Sequence, residues 1–239
     1  MDQAYVGAHI EEDREHWWFR GRLAVLLAAL RASLPRRRLR LLELGCGTGN
    51  VLRALGAFGE AIGMEPDARL VAVALANGLD VRRGSIPDDL VVPEGWADVV
   101  LLLDVLEHLD DEPAALATAR CALTAGGALV ITVPAFAWLW SAHDRALGHR
   151  RRYTAGRLRR VVERAGFTVT RVTYFSTLLF PGFAVVRWLK RGRGVEAHDL
   201  HRPPAVVNAV LEWCFAIERH LVPRLRLPFG SSLLLIAHR

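Results

Sequence analysis

The first pattern able to do chemistry is a glycine-rich turn that reads ELGCGTGN over residues 43–50. Its three glycines permit positive φ angles and let a ligand approach the backbone closely. A dinucleotide-binding fingerprint reads G-x-G-x-x-G, but here Asn50 stands where the last glycine would be. The carboxylate of Glu43 at the start of the turn would repel a pyrophosphate. It suits a positively charged ligand instead, such as the ammonium and sulfonium groups of S-adenosylmethionine.

A second carboxylate, Glu65, stands 16 residues after Gly49, at the end of the next apolar segment. A carboxylate at the end of a strand can accept hydrogen bonds from both hydroxyls of a ribose. Taken alone, an acidic residue at such a place is usually just solvated. The prediction that Glu65 binds a ribose therefore depends on its position relative to the glycine turn.

Two further residues, Asp104 and His108, follow the apolar segment 97–103 and could act on a methyl acceptor. Methyl transfer from a sulfonium is an in-line displacement, so most of its rate comes from holding the reactants collinear in a dry pocket. A hydroxyl or an acidic carbon also needs a base, and histidine titrates near neutral pH. His108 is the best single candidate for that base. The alternative is that it only caps structure or contacts the cofactor.

A third group of polar residues occupies positions 141–153, after the predicted fifth strand. These side chains could orient an acceptor that carries a carboxylate, phosphate or phenolate, or they could form a solvated charged surface. The predicted catalytic residues are Asp104, His108, His143 and Tyr153. The predicted substrate-binding residues are Trp140, His143, Asp144, His149, Arg150 and Phe180.

Aromatic residues are dense at both ends of the chain. The run Trp17-Trp18-Phe19 could form a lid over a cofactor, or it could simply anchor the core. The second half of the chain is also rich in aromatic side chains, which favours a pocket for an apolar or aromatic acceptor. A dimer face and surface contact with a membrane are the alternatives.

Short apolar runs alternate with helical patterns from Leu39 onward, which is typical of an α/β protein with a parallel sheet. Strands are predicted at residues 39–44, 61–65, 81–84, 97–103, 128–133, 168–175 and 232–237. Helices are predicted at residues 50–58, between Asp67 and Gly78, near 111–123, and at 154–165. Residues 1–34 and the stretch between 176 and 230 also read as helical.

Five segments of the sequence together resemble the class I S-adenosylmethionine-dependent methyltransferases. One of them, LTAGGALVITVPA, is similar to the segment that follows their fourth-strand motif. LLELGCGTGN is similar to their motif I, GMEPD to the acidic motif that follows, and RRGSIPDD to the segment beside adenine. LLLDVLEHLDD resembles the fourth-strand motif of the branch that includes ubiquinone-biosynthesis O-methyltransferases. The resemblance covers about residues 39–175.

The resemblance implies a Rossmann-like seven-stranded sheet in the order 3-2-1-4-5-7-6, with the last strand antiparallel. It implies S-adenosyl-L-methionine as the cofactor and S-adenosyl-L-homocysteine as the product. One domain is expected over residues 1–239, made of a helical lid (1–38), a cofactor-binding core (39–175), a helical cap insertion (176–230) and a last strand (231–239). The predicted cofactor-binding residues are Trp18, Glu43, Gly45, Cys46, Gly47, Gly49, Asn50, Glu65, Pro66, Ser85, Ile86, Asp104, Val105 and His108.

We expect the acceptor to lie between the carboxyl ends of strands four and five, beside His108, the 141–153 loop and the cap insertion. The acceptor is predicted to be a small, apolar or aromatic metabolite, methylated on O, N or C. Two other interpretations are a nucleic-acid methyltransferase and a non-catalytic cofactor-binding scaffold. The fourth-strand segment lacks the N/D-P-P-Y/F motif of amino methyltransferases that act on nucleic acids, and the intact glycine turn argues against a scaffold.

Composition bears on the partners, the cysteine and metal chemistry, and the location expected for this protein. The formal net charge is +6 and almost every basic residue is arginine, which could indicate an anionic partner or simply a solvated surface. The three cysteines are far apart and no H-E-x-x-H motif occurs, so we expect neither a disulfide framework nor a metal. No uninterrupted apolar stretch approaches the length of a membrane span, and the acidic N-terminus is unlike a secretory signal. A cytoplasmic monomer or homodimer is expected, with peripheral membrane contact left open.

Overall fold

Seven strands form a single mixed sheet in the computed structural model, which describes residues 15–190, with side chains to residue 185, and residues 203–239. The strands are β1 (Leu39–Leu44), β2 (Gly59–Glu65), β3 (Val81–Arg83), β4 (Ala97–Leu103), β5 (Leu123–Pro134), β6 (Thr168–Phe175) and β7 (Ser232–His238). Their order is β3-β2-β1-β4-β5-β7-β6, and β7 is antiparallel to its neighbours. The order and the fold class inferred from the motifs are confirmed.

The helices are α1 (Trp17–Ser33), α2 (Asn50–Leu55), α3 (Ala68–Ala76), α4 (Glu112–Ala122), α5 (Ala142–Ala146), α6 (Ala155–Arg164), α7 (Phe180–Lys190), α8 (Ala205–Ala216) and α9 (Glu218–Leu221). Short 3-10 turns occupy Leu106–His108 and Ala137–Leu139. Among the residues described, none of these helices is long and apolar enough to cross a membrane.

Strands β1 and β4 are neighbours in the middle of the sheet, and nearly all of their residues are buried. β4 is almost continuously apolar, as a parallel strand covered by helices should be, whereas β1 also carries Arg40 and the buried Glu43. Leu44 pairs with Met64 of β2 on one side and with Leu102 of β4 on the other. The carboxyl ends of β1, β2 and β4 therefore meet at the same edge of the sheet. The strand order reverses between β1 and β4, where open parallel sheets bind ligands.

Helix boundaries follow local capping chemistry. Asp67 caps α3 by accepting a hydrogen bond from the amide of Arg69 at 2.9 Å, and Asp111 caps α4 by accepting one from Ala114. The left-handed Gly78 lies just beyond α3. The cap at Asp67 and the stop at Gly78 agree with the predictions from the sequence.

The boundaries of α2 and β5 differ from the sequence-based prediction. Helix α2 ends at Leu55, three residues early, because the amides of residues 56–58 donate to carbonyls three residues back, which tightens the chain into a turn before β2. Strand β5 begins at Leu123 rather than at residue 128. Its first residues pair with β4 through an irregular register, with Ala97 opposite Leu123 but Val99 opposite Ala128. A left-handed Gly126 allows this bulge, which the pattern of apolar residues does not reveal.

The chain divides into two compact units. The sheet unit comprises Leu34–Val133, Ala155–Val172 and Leu234–Arg239. The helical unit comprises Met1–Ser33, Pro134–Thr154 and Thr173–Leu233, of which residues 1–14 and 191–202 lie outside the described structure. The lid, core, cap and last-strand limits predicted from the sequence remain predictions.

Helices α1 and α8 pack against each other inside the helical unit. Gly21 permits the close approach, since a Cβ at this position would lie 2.5 Å from Cδ1 of Phe215. Asn208 joins the same two elements. Its Oδ1 accepts from the amide of Trp17 at 3.0 Å, and its Nδ2 donates to the carbonyl of Glu15 at 3.0 Å.

A buried carboxylate, Glu218, ties α9 to the segment before α7. Its Oε1 accepts from the amide of Leu178 at 2.8 Å. Burial raises the pKa of Glu218, and hydrogen bonds from the backbone amides of Leu178, Thr177 and Ser176 oppose that rise. Within its described residues the predicted insertion contains helices α7, α8 and α9, and Glu218 connects α9 to the segment before α7.

Candidate functional site

The glycine turn forms a tight loop between β1 and α2. Gly45, Gly47 and Gly49 all adopt positive φ, at 75°, 57° and 80°. A Cβ at Gly45 would lie 2.7 Å from Cγ2 of Val105, and one at Gly49 would lie 2.3 Å from Cδ1 of Leu79. The turn therefore needs glycine both for its backbone angles and for the space around it.

Glu65 lies at the end of β2 and holds the glycine turn in place. Its Oε2 accepts from the amide of Gly47 at 2.9 Å, and its Oε1 accepts from the amide of Asp67 at 3.0 Å. Burial raises the pKa of this carboxyl group, while the two amide hydrogen bonds act to lower it. Each carboxylate oxygen can accept a second hydrogen bond, so Glu65 could bind two hydroxyl groups in this position.

The side chain of Cys46 points away from the turn and into the core. It packs with Leu52, Val71, Ala74 and Val81. Burial raises the pKa of its thiol strongly, and the carboxylates of Glu43 and Glu65 add to the rise. A contact between Cys46 and a cofactor would therefore come from its backbone.

Asp104 follows β4 directly and has a left-handed backbone, with φ at 57°. Its amide donates to the carbonyl of Thr132 at 2.9 Å, and its Oδ1 accepts from the hydroxyl of Thr132 at 3.2 Å. Asp is one of the few residues that tolerate this conformation, and such strain is concentrated at functional sites. The 3-10 turn that contains His108 follows, and the amide of His108 donates to Val105.

The segment predicted to lie beside adenine forms a turn after β3. The amide of Ser85 donates to Oδ2 of Asp89 at 2.8 Å, and the amide of Asp89 donates back to the carbonyl of Ser85. Ile86 is buried in this turn. Pro66 lies exposed just after Glu65, and its carbonyl accepts from Nε of Arg83 at 3.4 Å.

The polar loop of the helical unit is organised around one buried carboxylate, Asp144. Its Oδ1 accepts from Nδ1 of His149 at 2.9 Å and from Nε of Arg152 at 2.7 Å. Its Oδ2 accepts from the amide of Ser141 at 2.8 Å and from Arg152 at 3.1 Å. Arg152 also donates to the carbonyl of Ala135 at 3.0 Å.

These contacts keep Asp144 charged. Burial acts to raise its pKa, but hydrogen bonds from His149 and Arg152 and the charge of Arg152 outweigh it, so the pKa lies below its usual value. The buried ion pair of Asp144 and Arg152 thus connects the two ends of the loop.

An aromatic cluster lies next to this loop in the helical unit. Phe136 stacks on Tyr174 with ring centroids 5.1 Å apart and an angle of 11° between the planes. Phe180 contacts Phe136, Trp138 and Phe229 at centroid distances of 5.7–6.0 Å. Trp138 is 47% exposed and Phe229 is 43% exposed. Phe136 has a left-handed backbone with φ at 57°, which is a genuine strain for a bulky residue.

The other predicted site residues lie in varied surroundings. Trp18 is half-buried in α1, with the guanidinium of Arg22 5.3 Å from the centre of its ring. Trp140 and His143 are half-buried, and Arg150 is exposed. The side chain of Tyr153 has no exposed surface, and its backbone pairs with Pro134 and Phe136.

Reasoning from the sequence did not single out Arg152, Thr132 or Phe136. Arg152 is the last of three consecutive arginines, and nothing in the run distinguishes this buried arginine from the exposed Arg150 two positions earlier. Thr132 lies within an apolar strand, which is a weak signal that its hydroxyl serves another residue. The strained backbone of Phe136 has no signature in the sequence.

The sheet unit fits S-adenosylmethionine by two observations on its own residues. The glycine turn leaves no room for side chains at Gly45 or Gly49. The carboxylate of Glu65 is fixed by two amides at the end of the adjacent strand. A narrow backbone turn beside a rigid acceptor suits an amino acid joined to a ribose.

Comparisons with known proteins give a consistent answer. The family model for a methyltransferase domain matches residues 12–172. A Mycolicibacterium smegmatis protein named "Probable S-adenosylmethionine-dependent methyltransferase" is 30% identical over 160 residues, which are 65% of this chain and 61% of that protein. Ubiquinone biosynthesis O-methyltransferase of Methylobacterium nodulans is 33% identical over 103 residues, 41% of each protein. The chain thus covers less than two thirds of the length of either relative.

Solved structures share the fold at lower identity. A SAM-dependent methyltransferase from Archaeoglobus fulgidus superposes with a TM-score of 0.65 over 100% of both chains, at 17% identity. Phosphoethanolamine N-methyltransferase 2 of Haemonchus contortus, in complex with S-adenosyl-L-methionine, has a TM-score of 0.65 over 100% of this chain and 57% of its own, at 15% identity. These identities show a common fold.

Proposed function

The chain belongs to the methyltransferase domain family, and from that membership we propose that it transfers a methyl group from S-adenosylmethionine to a small apolar or aromatic metabolite. The observation that carries this proposal is the glycine turn at the end of β1, held by the buried Glu65 at the end of β2. The acceptor atom is O, N or C.

The sheet unit supplies the cofactor residues in this proposal. Backbone groups of Gly45, Gly47 and Gly49 border the amino acid portion, and Glu43 offers a negative charge near its ammonium group. Glu65 accepts hydrogen bonds from the ribose hydroxyls, and Ile86 lies beside the adenine. Bound there, S-adenosylmethionine would supply an electrophilic methyl group on its sulfonium.

The aromatic cluster supports the proposed class of acceptor. Trp138 and Phe229 each leave a large part of the ring exposed, while Phe136 and Tyr174 give the cluster a stacked, rigid base. Offset and edge-on aromatic contacts prefer another flat, apolar group. Phe180 joins these rings, which is consistent with its predicted part in binding the acceptor.

His108 and His143 are the proposed residues for handling a proton on the acceptor. Both are half-buried, and a histidine can accept a proton near neutral pH. Asp104 is proposed to orient reactants from its strained position after β4. Because Tyr153 is fully buried, its direct contact with an acceptor would require a movement of its neighbours.

Calorimetric titration with S-adenosylmethionine, S-adenosylhomocysteine and NAD tests the cofactor part of the proposal. Binding of both sulfur ligands and no binding of NAD is the expected result. Glu65→Gln should weaken binding by about 1.5–3 kcal/mol because the ribose hydroxyls lose a charged acceptor. Glu60→Gln is the matched control, since Glu60 is exposed near the start of the same strand. Failure of both sulfur ligands to bind would refute the proposed function.

A further inference from the structure

Helix α8 buries the polar residue Asn208 and exposes several large apolar residues. Its polar residue Asn208 is buried and hydrogen-bonded to the start of α1, and Phe215 is buried against Gly21. On the other side, Val206 is 77% exposed, Val210 is 54% exposed and Trp213 is 67% exposed. Ordinary surface helices place their polar residues in water and their apolar residues inside.

The exposed apolar residues form one continuous surface. Positions 206, 210 and 213 are spaced four and three apart, so they lie on the same face of the helix. Ala205 and Ala209 are exposed beside them, and this face carries no polar side chain. We call these five residues the α8 face. Contiguous exposed apolar surface of this kind marks an interaction site.

The charges of the sequence on either side of the α8 face indicate which kind of molecule could cover it. Residues 187–226 contain eight arginines or lysines and four acidic residues, a net charge of +4 out of +6 for the whole protein. One of the four acidic residues, Glu218, is buried, and Glu212 pairs with Arg20 at 3.0 Å. The exposed residues Arg219 and Arg224 follow the α8 face in the chain.

We propose that the α8 face binds the surface of a membrane that contains anionic lipids. An apolar helix face inserts into the boundary between headgroups and acyl chains, and basic residues nearby are attracted to anionic headgroups. Trp213 suits this boundary because tryptophan is enriched at membrane interfaces. The helix lies on the membrane and does not cross it.

A second copy of the chain fits the α8 face less well. Three large side chains on one helix would bury on the order of 400 Å² per partner, whereas stable interfaces bury about 800 Å² per partner. Two copies would also bring like charges together. An anionic lipid surface has the opposite charge to residues 187–226. This charge complementarity favours a lipid surface over a second copy of the chain.

Flotation of the full chain with vesicles tests the proposal. Wild-type protein should float with vesicles of phosphatidylcholine mixed with phosphatidylglycerol and bind vesicles of phosphatidylcholine alone about tenfold less, with binding that weakens as salt rises. The V206S/V210S/W213S variant should lower the partition coefficient by about tenfold or more. L75S is the matched control, since Leu75 is 52% exposed on α3 and should leave flotation unchanged.

Two measurements keep the test independent of folding and of methyl transfer. The triple variant should unfold at the same temperature as wild type and bind S-adenosylhomocysteine as wild type does. W213S alone should give a smaller loss of flotation in the same direction. Flotation needs no cofactor, so its failure would leave the proposed function standing.

Three results would overturn the proposal. They are no flotation of the wild type with anionic vesicles, equal flotation with neutral vesicles, and equal flotation of the triple variant. A dimer measured by light scattering that the triple variant dissociates would also overturn it and would assign the α8 face to a second copy.

Discussion

The glycines of the turn after β1 serve both the backbone and the neighbouring side chains. Gly45 has φ at 75° and contacts the stiff, branched side chain of Val105. Gly47 donates its amide to Glu65, which links the turn to the next strand. A side chain at Gly45 would therefore strain the backbone and push Val105 away at the same time.

Gly45→Ala and Gly78→Ala separate these two effects. Both glycines have nearly the same φ, 75° and 74°, but a Cβ at Gly78 meets nothing within 4 Å. Gly78→Ala should cost about 1–2 kcal/mol of unfolding free energy, from the left-handed backbone alone. Gly45→Ala should cost about 1–3 kcal/mol more and should weaken binding of S-adenosylhomocysteine. Urea unfolding and calorimetry measure both quantities, and equal costs at the two positions would rule out the steric explanation.

The segment between β5 and α6, which contains the short helix α5, is held together by hydrogen bonds and an ion pair on one buried carboxylate. Asp144 accepts hydrogen bonds from Ser141, His149 and Arg152, so one carboxylate connects both ends of α5 to the chain beyond it. Arg152 also reaches the carbonyl of Ala135 at the end of β5. The loop keeps its shape because a buried ion pair is costly to break from one side only.

Asp144→Asn should therefore destabilise the fold by about 3–5 kcal/mol, because Arg152 remains buried without its counter-charge. The double variant D144N/R152M should recover part of that loss, and Arg145→Gln on the exposed side of α5 should have little effect. Because the pKa of Asp144 is lowered, its contribution is complete above the ordinary value of 3.8 and is lost as the pH falls through the lowered value. Urea unfolding at neutral pH measures the free energy of unfolding of each variant. If the losses from D144N and R152M simply added in the double variant, the two side chains would not stabilise the fold as a pair.

The positive net charge of the whole molecule predicts non-specific attraction to nucleic acids. A net charge of +6 attracts any polyanion at low ionic strength, but the attraction depends on released counterions and not on sequence.

Gel-shift experiments over a range of salt concentrations should show weak binding to DNA or RNA that falls steeply as salt rises and is similar for unrelated sequences. Competition by heparin is the control for a purely electrostatic contact. Binding that persists at physiological salt with a preference for one sequence would favour the nucleic-acid interpretation instead.

The amino-acid sequence by itself determined the sheet. A buried parallel strand such as β4 reads as an apolar run broken only by Asp98. The cap at Asp67 and the stop at Gly78 are local signals, so each of these features could be recognised from a few neighbouring residues. The strand order came from the resemblance of the motifs rather than from the pattern of apolar residues. The early start of β5 was missed because a bulge depends on pairing with β4, which lies 20 or more residues away.

Only the tertiary structure decided which polar and apolar residues lie inside. Arg150 and Arg152 are the same residue type two positions apart, yet one is exposed and the other is buried against Asp144. In α8, Asn208 is inside and Val206 is outside because the start of α1 offers hydrogen-bond partners on the buried side. Burial is a property of what packs against a residue, and those contacts connect positions as far apart as Trp17 and Asn208.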